Sequence, residues 1–297
     1  MNKIILISII IFIISLLFYI INKKIIKEEK FTNNEYVLPK IIYGYYDNPN
    51  EIINAHIETW KRNVSPEWKI IFLNKENISE HVDDDFINKY KNLPAFRFSD
   101  FLRLYLLNKT GGVWIDASTI ILNNKFLDNY YDDMHKNKYD ATLYELKGRT
   151  IEKDKPYLEN WFIMAPKNSN FIKDLYGEFA IANDMNFLKY KKTILIPSKI
   201  NLDNTIHYND KNTYLMQHAI IHYLFHQNKK YNLNIKDAND SMFKIHNKVG
   251  WDNTKIINYI IENDNWDDYY AIKLGGNQRR VLKGDIINTF LNKLNSF

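Results

Sequence analysis

The chain has 297 residues, 45% of them hydrophobic and 15% aromatic, which suits one large domain or two small ones with a sizeable core and excludes a disordered composition. It has no cysteine, which rules out disulfides, thiol catalysis and cysteine-ligated zinc or iron–sulfur sites. The formal net charge of +5 comes mostly from scattered lysines in a chain rich in Ile and Asn, as AT-rich coding would supply; without a sustained basic stripe, nucleic acid is not an expected partner.

Ile4 to Ile21 is an uncharged run of 18 residues. As a helix it spans about 27 Å, close to the hydrocarbon thickness of a bilayer. Phe18-Tyr19-Ile20-Ile21 offers no small-residue cleavage site, so a retained single-pass anchor over residues 1–22 is expected in preference to a signal peptide. Lys3 precedes the run, and Lys23, Lys24, Lys27 and Lys30 follow it, so the positive-inside rule puts the remainder on the cytoplasmic side. Residues 23–38 read as a charged, Asn-rich connector, and residues 39–297 as the folded domain.

Lys40 to Tyr45, led by Pro39, reads as a buried first strand. Glu51 to Lys61 is predicted helical, because Ile53, Ile57 and Trp60 share one face. Lys69 to Leu73 is a second strand, and Asp84 to Tyr90 a helix stopped before Pro94. Ser99 to Lys109 is the next helix, with Ser99 as its N-cap. Gly111-Gly112 ends that helix and turns the chain into strand pieces at Val113–Ile115 and Thr119–Leu122. Farther on, a strand is expected at Trp161–Ala165 and helices at Ser169–Ala182 and Thr213–Gln227. Asn228 to Asn239 reads as loop, and the end mixes helix with a Gly275-Gly276 turn. The alternation of strand and helix in the first half argues for an α/β sheet flanked by helices.

The informative segment is Ser99-Asp100-Phe101-Leu102-Arg103 through Gly112-Val113-Trp114-Ile115-Asp116-Ala117-Ser118. A buried helix carrying Asp100 and Arg103 runs through the Gly-Gly break into a strand that ends on Asp116. The plain reading of Asp100 and Arg103 is a local ion pair, worth a few tenths of a kcal/mol on a helix surface. Apolar neighbours on most sides argue that the helix is buried, where an acid and an arginine need either partner side chains or a polar ligand in a cleft; the spacing leaves both readings open. Asp116 at a strand end either bonds loop amides or ligates Mg²⁺ or Mn²⁺, with Ser118 as a much poorer second ligand. His218, His222 and His226 share one helix face, but no carboxylate joins them at H-E-x-x-H spacing, so structural or acceptor-facing roles are expected. Lys273, beside the Gly-Gly turn, can reach a phosphate or simply sit on the surface. No P-loop, dinucleotide fingerprint or nucleophile elbow is present.

With Pro39-Lys40-Ile41-Ile42 and Asn160-Trp161-Phe162-Ile163-Met164-Ala165, this segment resembles the DXD-containing sugar transferases, in particular their capsular polysaccharide synthesis branch. The branch is related to fungal initiating mannosyltransferases and clostridial glucosylating toxins. The resemblance implies a GT-A-like fold with a mixed, mainly parallel sheet. It further implies a nucleotide-sugar donor, a glycan acceptor, a divalent metal and retention at the anomeric carbon. By position it gives Asp100, Arg103 and Asp116 catalytic roles, with Tyr43, Asn160, Trp161 and Lys273 joining them around the donor. Asp116 and Ser118 fall on the metal positions. Ser118 stands where the usual motif has a second Asp, which weakens the metal expectation. The alternatives are an inactive sugar-binding or scaffold protein of the same fold, and a metal-dependent phosphotransferase or nuclease using Asp116; that class needs clustered carboxylates, and the available run, Asp83-Asp84-Asp85 beside His81, reads better as solvated charge in an exposed turn. Donor sugar, acceptor and oligomeric state stay open at this level.

Overall fold

The computed structural model describes residues 35–200, 213–227 and 229–297. The expected anchor at residues 4–21 lies outside the described residues. Among the described residues, no helix is long and apolar enough to cross a membrane.

Strand β1 (Ile41–Tyr45) opens the fold and lies parallel to β2 (Lys69–Leu73). Helix α1 (Glu51–Asn63) connects them; the Asn50 side chain caps it by accepting from the Ile53 amide. Its predicted face is fully buried, with Trp60 and Ile53 at 0% exposure. Helix α2 (Asp84–Tyr90) matches its expected span.

Helix α3 (Ala95–Thr110) starts four residues earlier than the Ser99 cap predicted. Pro94 sets the boundary. Its extended backbone, ψ 146°, leaves its carbonyl to accept from the Arg97 and Phe98 amides at 2.8 and 2.9 Å. Ser99 therefore sits one turn inside the helix. Phe101, Leu102, Leu106 and Leu107 are buried, each stabilising the fold by roughly 1.5–3 kcal/mol.

Gly111 and Gly112 end α3 with φ of 75° and 114°. A Cβ at Gly111 would lie 2.4 Å from the Lys167 amide nitrogen, and one at Gly112 would lie 2.8 Å from the Ile41 carbonyl. Both the sign of φ and the space demand glycine, and the tight passage places β3 (Gly112–Ile115) parallel to β1.

Strand β4 (Thr119–Ile121) leaves the main sheet. Side chains of α1 hold the segment before and within it. Thr119 carbonyl accepts from Trp60 Nε1 at 2.7 Å, Ile121 carbonyl from Asn63 Nδ2 at 2.8 Å, and Ala117 carbonyl from His56 Nδ1 at 3.2 Å.

Helix α4 (Lys125–Asn137), strands β5 (Ala141–Glu145) and β6 (Leu158–Ala165), and helix α5 (Asn170–Asp184) follow. Ser169 caps α5 as its position before the apolar run suggests. Next come α6 (Met216–His226) and β7 (Leu233–Asp237). The latter corrects the loop expected over Asn228–Asn239. Leu233 and Ile235 alternate with polar residues, and the five residues pair in parallel with β5 at the sheet edge, where an Asn-rich composition hid them.

The six-stranded sheet has the order β2-β1-β3-β6-β5-β7. Three of its five pairings are parallel; β6 runs antiparallel to both β3 and β5. The architecture is thus the expected mixed, mainly parallel α/β arrangement. Its larger core joins Tyr43, Trp114, Leu143 and Ile163 of the sheet to α2, α3, α5 and α6.

The chain ends with α7 (Lys244–Lys248), α8 (Asn253–Glu262), β8 (Ala271–Lys273), α9 (Gly276–Val281) and α10 (Asp285–Asn295). β8 pairs antiparallel with β4. A smaller core packs Ile120 and Ile272 of that ladder against Ile256 and Ile260 of α8 and Phe290 and Leu294 of α10.

Candidate functional site

Four elements bring polar side chains to the carboxyl end of β3: the inner face of α3, the start of β6, the first turn of α6, and β8. Asp100 sits on α3 with an arginine one turn to either side. Arg97 Nη1 donates to its Oδ2 at 3.0 Å, and Arg103 Nη1 lies 3.2 Å from its Oδ1. All three residues are buried. Burial pushes the Asp100 carboxyl up, and Arg103 and Arg97 pull it back. Burial likewise pushes Arg97 down, with Asp100 opposing the shift.

Arg103 links this pair to the strand end. Its Nη2 donates to Asp116 Oδ1 at 3.2 Å, and its guanidinium lies 5.2 Å from the Trp114 ring centroid. Trp114 Nε1 donates to the same Asp116 oxygen at 3.0 Å. Gln217, from the first turn of α6, closes the network. Its Oε1 accepts from Arg103 Nη1 at 3.1 Å and Asn160 Nδ2 at 2.6 Å, while its Nε2 donates to the Asp100 carbonyl at 3.2 Å.

Asp116 is the most open member, with its side chain 28% exposed against 5% for Arg103 and 8% for Asp100. Its amide is fixed by the Trp161 carbonyl at 2.8 Å. Oδ2 carries no hydrogen bond among the described residues and faces Lys273 Nζ at 3.7 Å. Lys273 Nζ donates to Ser118 Oγ at 2.8 Å and the Leu274 carbonyl at 3.0 Å. Burial lowers the lysine, Asp116 raises it, and Arg279 and Arg103 lower it further. The local formal charges are Arg97, Arg103, Lys273 and Arg279 against Asp100, Asp116 and Glu159, an excess of one positive charge.

The structure therefore gathers Asp100, Arg103, Asp116, Asn160, Ser118 and Lys273. It sets two other predicted residues apart. Tyr43 donates from its hydroxyl to Thr110 Oγ1 at 3.1 Å, at the far end of α3, and burial raises its pKa. The Trp161 ring stacks on Tyr144 at 4.9 Å and meets Phe243, because adjacent β6 residues point to opposite faces of the sheet. Its backbone, not its indole, touches the site.

For a divalent metal, Asp116 Oδ2 is the available carboxylate oxygen. That fits a hard ion shared with the phosphates of a ligand. Ser118 Oγ is buried and already accepts from the Lys273 ammonium, so a cationic side chain stands at the second motif position.

Arg97 was readable as the first member of an i, i+3, i+6 series with Asp100 and Arg103, and it was missed. Gln217 gave no local signal; it reaches the site across 114 residues. The histidines lie farther along α6. His218 Nε2 approaches Glu159 Oε2 at 3.4 Å, while His222 and His226 approach Glu152. The Asp83–Asp85 run is solvated: Asp83 pairs with Lys109 at 2.7 Å on the surface, away from Asp116.

These features define a mixed α/β protein with a buried carboxylate–guanidinium network at the carboxyl end of its central parallel strand. The chain belongs to the capsular polysaccharide synthesis protein family, whose profile matches residues 18–272. It is 31% identical over 145 residues to O-glycosyltransferase braB of Annulohypoxylon truncatum, matching 43% of this chain and 33% of that protein. The chain thus spans about a third of the length of the curated relative it matches. Among solved structures it is similar to a glycosyltransferase involved in glycosylation of the major capsid of PBCV-1, with TM-score 0.40, 9% identity, and coverage of 86% of this chain and 98% of that one. It is also similar to the bifunctional glycosyltransferase WbbM, with TM-score 0.41, 13% identity, and coverage of 88% and 50%.

Proposed function

We propose that the protein is a membrane-anchored glycosyltransferase that moves a sugar from a nucleotide-sugar donor to a glycan or glycoconjugate acceptor, with retention. The observation that carries this reading is the open Asp116 carboxylate at the β3 end, flanked by Arg103 and Lys273 in a site of net positive charge. Such a site suits the diphosphate of the donor. As the sugar–phosphate bond breaks, negative charge builds on the leaving diphosphate, and Arg103 and Lys273 are already aimed to stabilise it. Both sit in a largely buried environment, where fixed charges act more strongly than in water.

Asp100 has both oxygens engaged by guanidiniums, so it works as a positioning residue for Arg103. Gln217 sets the same guanidinium from the other side and orients the Asn160 amide, which faces the sugar. A divalent ion held by Asp116 Oδ2 and the donor phosphates would further neutralise the leaving group. We assign the membrane anchor to residues 4–21, with the folded part on the cytoplasmic side.

The test is nucleoside diphosphate release by the full chain in detergent, across a panel of nucleotide sugars, with a mixture of glycan acceptors as well as water to receive the sugar, with and without Mn²⁺. One donor should turn over, and Asp116→Asn and Arg103→Ala should abolish that turnover. A folded chain that neither binds nor cleaves any donor overturns the reading. Donor binding without release would establish the alternative, a sugar-binding scaffold, which the Lys273–Ser118 contact at the second motif position favours. The anomeric coupling of the product reads retention. Extraction of membranes at alkaline pH, with and without residues 1–34, reads the anchor.

A further inference from the structure

The segment between β5 and β6 meets α6 at a second cluster, separate in sequence and chemistry from Asp116. His222 and His226 stand one turn apart on α6, and both Nε2 atoms converge on one oxygen, Glu152 Oε1, at 3.4 and 3.3 Å. The ligand-capable atoms of the three residues lie within 4.8 Å of one another.

These separations are long for charge-assisted hydrogen bonds, which run about 2.7–2.9 Å. They match the edge of a tetrahedron built on zinc: bond lengths of about 2.0–2.1 Å put neighbouring ligand atoms roughly 3.3–3.4 Å apart. His226 Nε2 is buried and makes no hydrogen bond among the described residues. A purely hydrogen-bonded cluster would leave this nitrogen orphaned beside a carboxylate. A cation between the three atoms satisfies all of them. The other Glu152 oxygen accepts from Lys155 Nζ at 2.5 Å, which fixes the carboxylate and leaves Oε1 as the ligand atom.

We propose that Glu152, His222 and His226 bind a divalent metal of the zinc class, with water in the fourth position, and so pin the 146–157 segment to α6. Two imidazole nitrogens and one carboxylate oxygen suit zinc and its late first-row neighbours, not Mg²⁺ or Ca²⁺, which take oxygen. The place of the cluster gives it a role. The segment leads directly into β6, which carries Asn160, and α6 begins with Gln217; these two side chains bond each other at 2.6 Å. The metal ties together the two elements whose relative position sets that contact. The proposal stands whether or not the chain transfers sugar.

The test uses the untagged full chain in detergent, stripped with a chelator and titrated with Zn²⁺, then with Co²⁺ as a spectroscopic probe. One equivalent of zinc should remain after gel filtration, and Co²⁺ should give the intense visible bands of a four-coordinate site. His226→Gln and Glu152→Gln should each weaken the site by at least about 100-fold, more than the loss of a supporting contact behind a ligand. Asp116→Asn should keep full stoichiometry. Glu152 lies in a partly exposed segment, so Glu152→Gln stays decisive if the histidine variant fails to fold. Zinc below one equivalent, unchanged affinity in folded Glu152→Gln, or loss of the metal in Asp116→Asn would each overturn the proposal.

Discussion

Replacing Asp100 with Asn tests whether the site is held by charge or by shape. The substitution keeps the side-chain outline and removes one negative charge between two guanidiniums that are 3% and 4% exposed. Breaking a buried ion pair from one side costs about 3–5 kcal/mol, because the partner is left charged and poorly solvated. Here both arginines keep other support. Arg103 retains Asp116 at 3.2 Å and Gln217 at 3.1 Å; Arg97 retains the Thr213 carbonyl and packs 4.3 Å from the Phe187 ring centroid. The expected loss therefore falls at the low end, about 3 kcal/mol, which lowers the melting temperature by roughly 6–12 °C for a domain of this size. Urea unfolding followed by circular dichroism measures it directly. A double-mutant cycle with Arg97→Met should return a coupling of about 1–3 kcal/mol, since the second loss removes a charge the first had orphaned. A cost for Asp100→Asn within about 0.5 kcal/mol, as for an ordinary surface substitution, together with no coupling, would refute the buried-network account.

Lys273→Met should separate function from stability. It relieves the burial of an ammonium but leaves the Ser118 hydroxyl and the Leu274 carbonyl without their donor, so the unfolding free energy should fall by no more than about 1–2 kcal/mol, while the proposed transferase turnover falls by about 10²–10³-fold, as for loss of one fixed electrostatic donor. A loss of stability beyond that range would refute this division. Gly112→Ala forces a side chain to φ 114° against the Ile41 carbonyl, and should leave the chain insoluble or destabilised by more than about 3 kcal/mol, as read from soluble yield and urea midpoint. Stability should also depend on two buried histidines. Burial lowers His56 to about 3 and His246 to about 4, so both stay neutral in the fold and charge first in the unfolded chain. Their contribution is full above the unfolded value of 6.5 and is lost as pH falls toward those numbers. Between pH 6.5 and 5, each should remove about 2 kcal/mol from the unfolding free energy; a flat profile over that range would contradict it.

The parts of the fold legible in the sequence are those fixed by local chemistry. α1, β2 and α2 follow from apolar spacing and short-range caps, and Gly111-Gly112 from the backbone conformations only glycine adopts readily. The meeting of Arg103 with Asp116 was readable too, because helix, turn and strand are consecutive and few paths join them. What escaped depends on tertiary pairing. β7 is a strand because β5 lies beside it, not because Asn-rich sequence favours one. Gln217 enters the site because α6 packs across β6. Lys273 is buried beside Ser118 because β8 pairs with β4, a contact no local pattern encodes. Trp161 shows the effect of the pleat: its neighbour Asn160 bonds Gln217, while the indole lies on the other face against Tyr144 and Phe243.

The pairing of β4 with β8 also sets a schedule. Ser118 is made 155 residues before Lys273, its partner. At typical synthesis rates of about 5–20 residues per second, the gap is roughly 8–30 seconds on the ribosome. Throughout that interval the Asp116 carboxylate has Arg103 but not the lysine, and the β4 edge is unmatched. A nascent chain, or one terminated before residue 271, therefore lacks both the β4–β8 ladder and the lysine beside Asp116.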